Sequence, residues 1–72
     1  MSKLNLPILE EIRQRRTAKR MTLLDMEVAS GWSYSMIRAV ETGKQMPSIK
    51  FLQDIATVLG VELELSFRRK EG

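Results

Sequence analysis

The chain has 72 residues, of which 43% are apolar and 29% are charged, a composition typical of one small globular domain. It contains no cysteine and no histidine, which excludes disulfides, thiol nucleophiles, histidine-based catalysis and the usual ligands of structural zinc. Twelve Lys and Arg residues against nine Asp and Glu residues give a net charge of +3, a mild bias toward polyanionic partners. No apolar run is long enough to span a membrane, so we expect one cytoplasmic domain over residues 1–72, with no cofactor, no metal and no membrane association.

The first part of the chain predicts two helices separated by a short turn. Pro7 suits the first turn of a helix, and apolar residues recur at helical spacing after it. We therefore expect residues 6–19 to form helix 1. Thr22 and Asp25 have the spacing of a capping box, in which each side chain accepts a hydrogen bond from the other residue's backbone. Helix 2 therefore begins there and ends at Gly31.

Two further helices follow in the middle of the chain. Ser33 is a good N-cap, so helix 3 begins after a turn of only three residues and ends at Gly43. Ser48 caps helix 4, which has an apolar stripe and ends at Gly60. The spacing of these caps predicts an all-helical core.

The C-terminal segment changes its pattern, because apolar and polar side chains alternate over residues 61–68, as in a β-strand. A single strand has no partner within the chain, and helix 4 is apolar on two sides. We therefore expect a homodimer in which the strands of two copies pair across a two-fold axis. The expected dimer contacts are Phe51, Val58, Val61, Leu63, Leu65 and Phe67.

Helices 2 and 3 have the layout of a helix-turn-helix over residues 22–42. Over residues 8–61 the sequence resembles the Cro-type phage-repressor (XRE) family. The resemblance is carried by Gly31, Ser33, Ile37, Val40, Glu41, Gly43, Lys44, Pro47, Ser48, Leu59, Gly60 and Val61. It implies a mainly α, lambda-repressor-like DNA-binding domain of four to five helices, followed by a short C-terminal β-strand, that binds a double-stranded DNA operator as a dimer.

The outward face of helix 3 is the candidate for reading DNA bases. At about 100° per residue, Ile37 and Val40 point inward, whereas Arg38 points outward and carries the donor pair that recognises guanine. The expected base contacts are Tyr34, Ser35, Arg38, Ala39 and Thr42. The expected phosphate contacts around the start of helix 2 are Arg13, Lys19, Arg20, Thr22, Leu23 and Lys44.

The resemblance also implies a structural ion pair between Arg16 on helix 1 and Glu41 on helix 3. Three positions depart from the family pattern. Leu23 stands where many members have a glutamine that contacts DNA, Glu27 where a small alanine often packs, and Arg20 where glycine is common. These departures put the strength of DNA binding in doubt.

The function best supported by the sequence is that of a dimeric transcriptional repressor. Because residues 61–68 resemble the strand of small antitoxins in this family, the alternative is an antitoxin that binds a toxin protein as well as its operator. A second alternative is a protein-interaction module without DNA binding. The sequence has no Gly-rich phosphate loop and no nucleophile elbow, so we expect no enzymatic activity.

Overall fold

The domain is mainly α-helical, and the computed structural model describes residues 7–64. They form four helices, α1 (Pro7–Ala18), α2 (Leu23–Ser30), α3 (Tyr34–Glu41) and α4 (Ile49–Leu59). These are the four predicted helices, and their ends differ from the expected ones by a residue or two. Residues 61–64, the first half of the predicted strand, have no regular secondary structure. The other half, with Leu65 and Phe67, lies outside the described residues.

The helix ends are set by the residues that the sequence pattern indicates. Asp25 N donates to Thr22 Oγ1 over 3.0 Å and Thr22 N donates to Asp25 Oδ2 over 2.8 Å, so both halves of the predicted capping box are confirmed. Ser33 and Ser48 cap α3 and α4 in the same way, each through its hydroxyl. Gly31 ends α2 in the left-handed region, with φ 82°.

One apolar core holds the four helices together. α3 and α4 each pack against both α1 and α2, so these two helices are each supported from two directions. The buried apolar residues of this part of the chain are Leu9, Ile12, Met26, Ile37, Val40, Phe51, Leu52, Ile55, Ala56 and Leu59. Because α3 buries Ile37 and Val40 completely, its orientation about its own axis is fixed by the core.

Phe51 belongs to this core, which corrects the prediction that it contacts a second copy. Its side chain is only 1% exposed, and its ring packs edge-on against Trp32 with 5.1 Å between ring centroids. α1 and α2 both pack against α4, and they cover most of its two apolar sides within one chain. Val58, Val61 and Leu63 are half-buried and border the same core.

Trp32 also fixes the turn between α2 and α3 to α4. Its Nε1 donates to Asp54 Oδ2 over 2.9 Å, and Lys50 Nζ donates to Asp54 Oδ1 over 3.1 Å. These hydrogen bonds, that from Trp32 first, hold the pKa of Asp54 below its ordinary value of 3.8. The Trp32–Asp54 contact was not predicted from the sequence.

Arg16 and Glu41 form a two-pronged ion pair between α1 and α3. Arg16 Nε donates to Glu41 Oε2 over 2.8 Å and Arg16 Nη2 donates to Glu41 Oε1 over 3.0 Å. The side chains are only 13% and 7% exposed. Arg16 Nη1 also donates to the Met21 carbonyl over 2.8 Å. One guanidinium therefore joins the end of α1, the turn before α2 and the end of α3.

Arg20 lies in the turn between α1 and α2 with φ 57°, in the left-handed region. A side chain there costs about 1–2 kcal/mol because Cβ approaches the following carbonyl oxygen. The turn therefore has the backbone conformation that glycine adopts most readily, at the position where the family often has glycine.

We expect Arg20→Gly to raise the free energy of unfolding by about 0.5–1 kcal/mol, because glycine relieves the strain but also gains freedom in the unfolded chain. Urea unfolding measures the change. Gly60→Ala is the reverse control, since Gly60 has φ 74° and an added Cβ meets nothing within 4 Å. It should lower the free energy of unfolding by about 1 kcal/mol, because alanine is strained at a positive φ. A less stable Arg20→Gly variant would show that the arginine side chain contributes more than the strain costs.

We expect Glu41→Ala to lower the free energy of unfolding by about 3–5 kcal/mol, because it leaves the shielded Arg16 guanidinium without its partner. The control is Glu11→Ala, which breaks the Glu11–Arg15 pair, whose side chains are 56% and 49% exposed. That change should cost at most about 0.5 kcal/mol. Thermal unfolding compares the two variants, and equal melting temperatures would contradict a structural role for the shielded pair.

The lowered pKa of Asp54 predicts how stability changes with pH. The folded pKa is below 3.8, so the stabilisation from Asp54 is complete above that value and is lost as the pH falls through the folded pKa. Asp54→Asn should therefore reduce the loss of stability between about pH 4 and pH 2. Trp32→Phe, which removes the main donor, should have the same effect. Urea unfolding at several pH values checks this, and unchanged pH slopes in both variants would contradict it.

Candidate nucleic-acid interface

Among residues 7–64, α3 has one side in the core and one side that is largely accessible to solvent. Its inward residues Ile37 and Val40 are completely buried, so the opposite side of the helix faces solvent. The five predicted base-reading residues divide into Tyr34, Ser35 and Arg38, which are exposed, and Ala39 and Thr42, which are half-buried. The structure therefore places all five on or beside one accessible surface.

Arg38 has the side chain on this face best suited to recognise a base. Among residues 7–64, no acidic side chain forms a salt bridge with it, in contrast to Arg15 and Arg16. Its guanidinium can therefore donate two parallel hydrogen bonds to an outside acceptor. Such a fork matches guanine O6 and N7 in the major groove.

Thr42 is less available than the sequence suggests. Its hydroxyl donates to the Arg38 carbonyl over 2.8 Å, within the last turn of α3. The proton of that hydroxyl is therefore used inside the helix, and Thr42 Oγ1 can only accept a hydrogen bond from a ligand. This restriction follows from helix geometry, which places Oγ1 near the carbonyl four residues earlier.

The predicted basic contacts lie around the turns that flank the helix-turn-helix. Lys19 and Arg20 are exposed in the turn before α2, and Lys44 is exposed in the turn after α3. The Arg16–Glu41 pair joins the ends of α1 and α3, so it brings these two turns to the same end of the molecule. Arg13, the remaining basic candidate, is exposed on α1.

The start of α2 provides fewer free donors than expected. The Thr22 backbone N–H donates to Asp25, so it is not available to a phosphate, contrary to the prediction. The cause is the capping box itself, which uses the donor that the prediction left exposed. Leu23, the other candidate there, packs its side chain against the core and can offer only its backbone N–H.

Glu27 lies between the two helices of the pair and contacts the start of α3. It is half-buried, and its Oε2 accepts a hydrogen bond from the Tyr34 backbone N–H over 3.2 Å. Sequence analysis identified Glu27 as a departure from the family pattern but not this contact. Spacing along the sequence does not identify this partner, because the contact crosses the turn between α2 and α3.

The comparisons with known proteins bear on this surface. A family model described as helix-turn-helix matches residues 12–65, which include α2, α3, α4 and most of α1. No curated protein matches the chain. Within residues 7–64, no helix has the length and apolarity needed to cross a membrane. Because the match extends over most of the chain and includes the capped turn between α2 and α3, the chain belongs to the Cro-type (XRE) helix-turn-helix family.

Proposed function

We propose that the protein is a transcriptional repressor that binds a specific double-stranded DNA operator as a dimer. The family to which it belongs is one of DNA-binding domains. The observation that carries the proposal for this chain is the exposed face of α3, on which the guanidinium of Arg38 has no acidic partner among residues 7–64.

The dimensions of α3 support its entry into the major groove. An α-helix with its side chains is about 10–12 Å in diameter, and the major groove is about 12 Å wide, so α3 fits into the groove. With α3 in the groove, its N-terminal residues Tyr34 and Ser35 approach the base edges, together with Arg38 one turn further on. The exposed lysines and arginines of the two flanking turns then approach the phosphates on either side.

A groove of about 280 Å³ between α1, α4 and residues 61–64 supports the proposed dimer. Its apolar lining includes Leu59, Val61 and Leu63, and it borders the segment whose alternating pattern continues through residues 65–68. A second copy that covers this groove would bury apolar surface that one chain leaves partly exposed. The two α3 helices would then be held at a fixed separation.

The other two interpretations from the sequence remain predictions. The antitoxin interpretation depends on residues 61–68, half of which lie outside the described residues, and no contact among residues 7–64 favours a toxin partner. The interpretation as a protein-interaction module has one supporting observation, the carboxylate of Glu27 at the start of α3. A negative charge there opposes the approach of DNA.

Selection of bound fragments from random duplex DNA tests the proposed function directly. We expect an enriched pseudo-palindrome whose half-sites are about 34 Å apart, one turn of the double helix, because two α3 helices in a symmetric dimer read successive major grooves. Enrichment of a single half-site would contradict the dimer. Absence of any enriched sequence at low salt would contradict specific DNA binding and favour the protein-interaction module.

Arg38→Ala tests base reading. We expect operator affinity to fall by about 1–3 kcal/mol, with a much smaller loss on random duplex, because a bidentate base contact contributes mainly to discrimination. The control is Lys50→Ala, since Lys50 is paired with Asp54 on α4 and is neither a predicted DNA contact nor part of the lining of the proposed dimer groove. It should leave both affinities nearly unchanged. If Arg38→Ala loses the same affinity for operator and for random DNA, Arg38 contacts a phosphate and does not read a base.

A further inference from the structure

A charged side chain from a different helix lies at the N-terminus of α3. Of the first backbone donors of α3, the Tyr34 N–H donates to Glu27 Oε2 over 3.2 Å and the Met36 N–H donates to the hydroxyl of Ser33 over 3.1 Å. The first of these contacts crosses from α2 to α3. It therefore links the two helices through a hydrogen bond, in addition to their apolar contact.

Within residues 7–64, the carboxylate of Glu27 forms no salt bridge with a Lys or Arg side chain. Among residues 7–64, the salt bridges are Arg15–Glu11, Arg16–Glu41 and Lys50–Asp54, and none includes Glu27. Its negative charge is instead balanced in part by the positive end of the α3 dipole. A helix N-terminus of this kind is also where a DNA phosphate would bind. Glu27 therefore occupies the position of an anion at the end of α3 that enters the groove.

We propose that Glu27 sets the DNA affinity of this protein through two opposing effects. Its hydrogen bond to Tyr34 N fixes the first turn of α3 against α2, so the base-reading residues have a defined position. Its charge repels the phosphates that approach the same end of the helix. Glu27 is thus a positioning residue that favours specificity and, at the same time, limits the total affinity. This inference rests on the proposed function, because it assumes that α3 binds DNA.

Two substitutions separate the effects. Glu27→Gln keeps an oxygen that accepts from Tyr34 N and removes the charge, whereas Glu27→Ala removes both. The control for net charge is Glu10→Gln, because Glu10 is exposed in the first turn of α1 and its one hydrogen bond among residues 7–64 comes from Gln14. It lies on α1, nine residues before the basic turn at Lys19 and three residues before Arg13, so it measures what the loss of one exposed negative charge on α1 contributes to binding.

The experiment measures binding of the full chain to its selected operator and to a random duplex at several salt concentrations. We expect Glu27→Gln to bind both duplexes roughly three- to tenfold more tightly at about 0.1 M salt, with a smaller gain at higher salt because the charge is screened. Glu10→Gln should change neither affinity by more than about 1.5-fold. Glu27→Ala should gain affinity for random duplex as Glu27→Gln does, but its ratio of operator to random affinity should fall below that of Glu27→Gln. Circular dichroism confirms that each variant is folded.

The variants test the charge of Glu27 and its hydrogen bond to Tyr34 N separately. If Glu27→Gln binds no more tightly than the wild type, or if Glu10→Gln gains as much, the charge of Glu27 does not limit affinity. If Glu27→Ala keeps the specificity ratio of Glu27→Gln, the hydrogen bond does not position α3. A wild-type chain that binds no duplex overturns the proposed function and this inference together, whereas normal binding with unchanged variants overturns the inference alone.

Discussion

The ion pair between Arg16 and Glu41 is the interaction on which the position of α3 depends. Two charged side chains have been removed from most of their water, which is unfavourable unless the charges are paired and hydrogen-bonded. Two parallel hydrogen bonds, with a third to the Met21 carbonyl, meet this requirement. The same geometry that satisfies the charges also determines where α3 ends relative to α1. The basic turns on either side of the helix-turn-helix are consequently presented together.

The rest of the domain supports this arrangement with local and apolar interactions. With no cysteine in the chain, apolar packing has to hold the four short helices of residues 7–64 together without any disulfide. Capping side chains define where the helices begin, so little backbone freedom remains in the turns. Trp32 adds a contact between the central turn and α4, partly apolar through Phe51 and partly polar through Asp54. The exposed face of α3 is therefore built on a rigid support.

The local part of this structure could be predicted from the sequence, and the long-range part only where a family resemblance supplied it. Capping residues and helix-ending glycines act within a few positions, so the four helices followed from spacing alone. Phe51 was misplaced because periodicity shows that a helix has two apolar sides but not what covers them. The Trp32–Asp54 bond joins residues 22 positions apart, and Glu27 reaches Tyr34 across a turn. Neither partner could be identified from spacing, whereas the Arg16–Glu41 pair was expected from related proteins.

The brevity of the helices has a consequence for the chain as a whole. α2 and α3 have eight residues each, and even α1 has only twelve, which is at or below the length at which an isolated helix is marginal in water. Each helix therefore exists because the others pack against it, and the domain should fold and unfold as one cooperative unit. A peptide consisting of α3 alone would lose its helical shape along with its neighbours. Transfer of the outward face of α3 to another protein would therefore require all four helices.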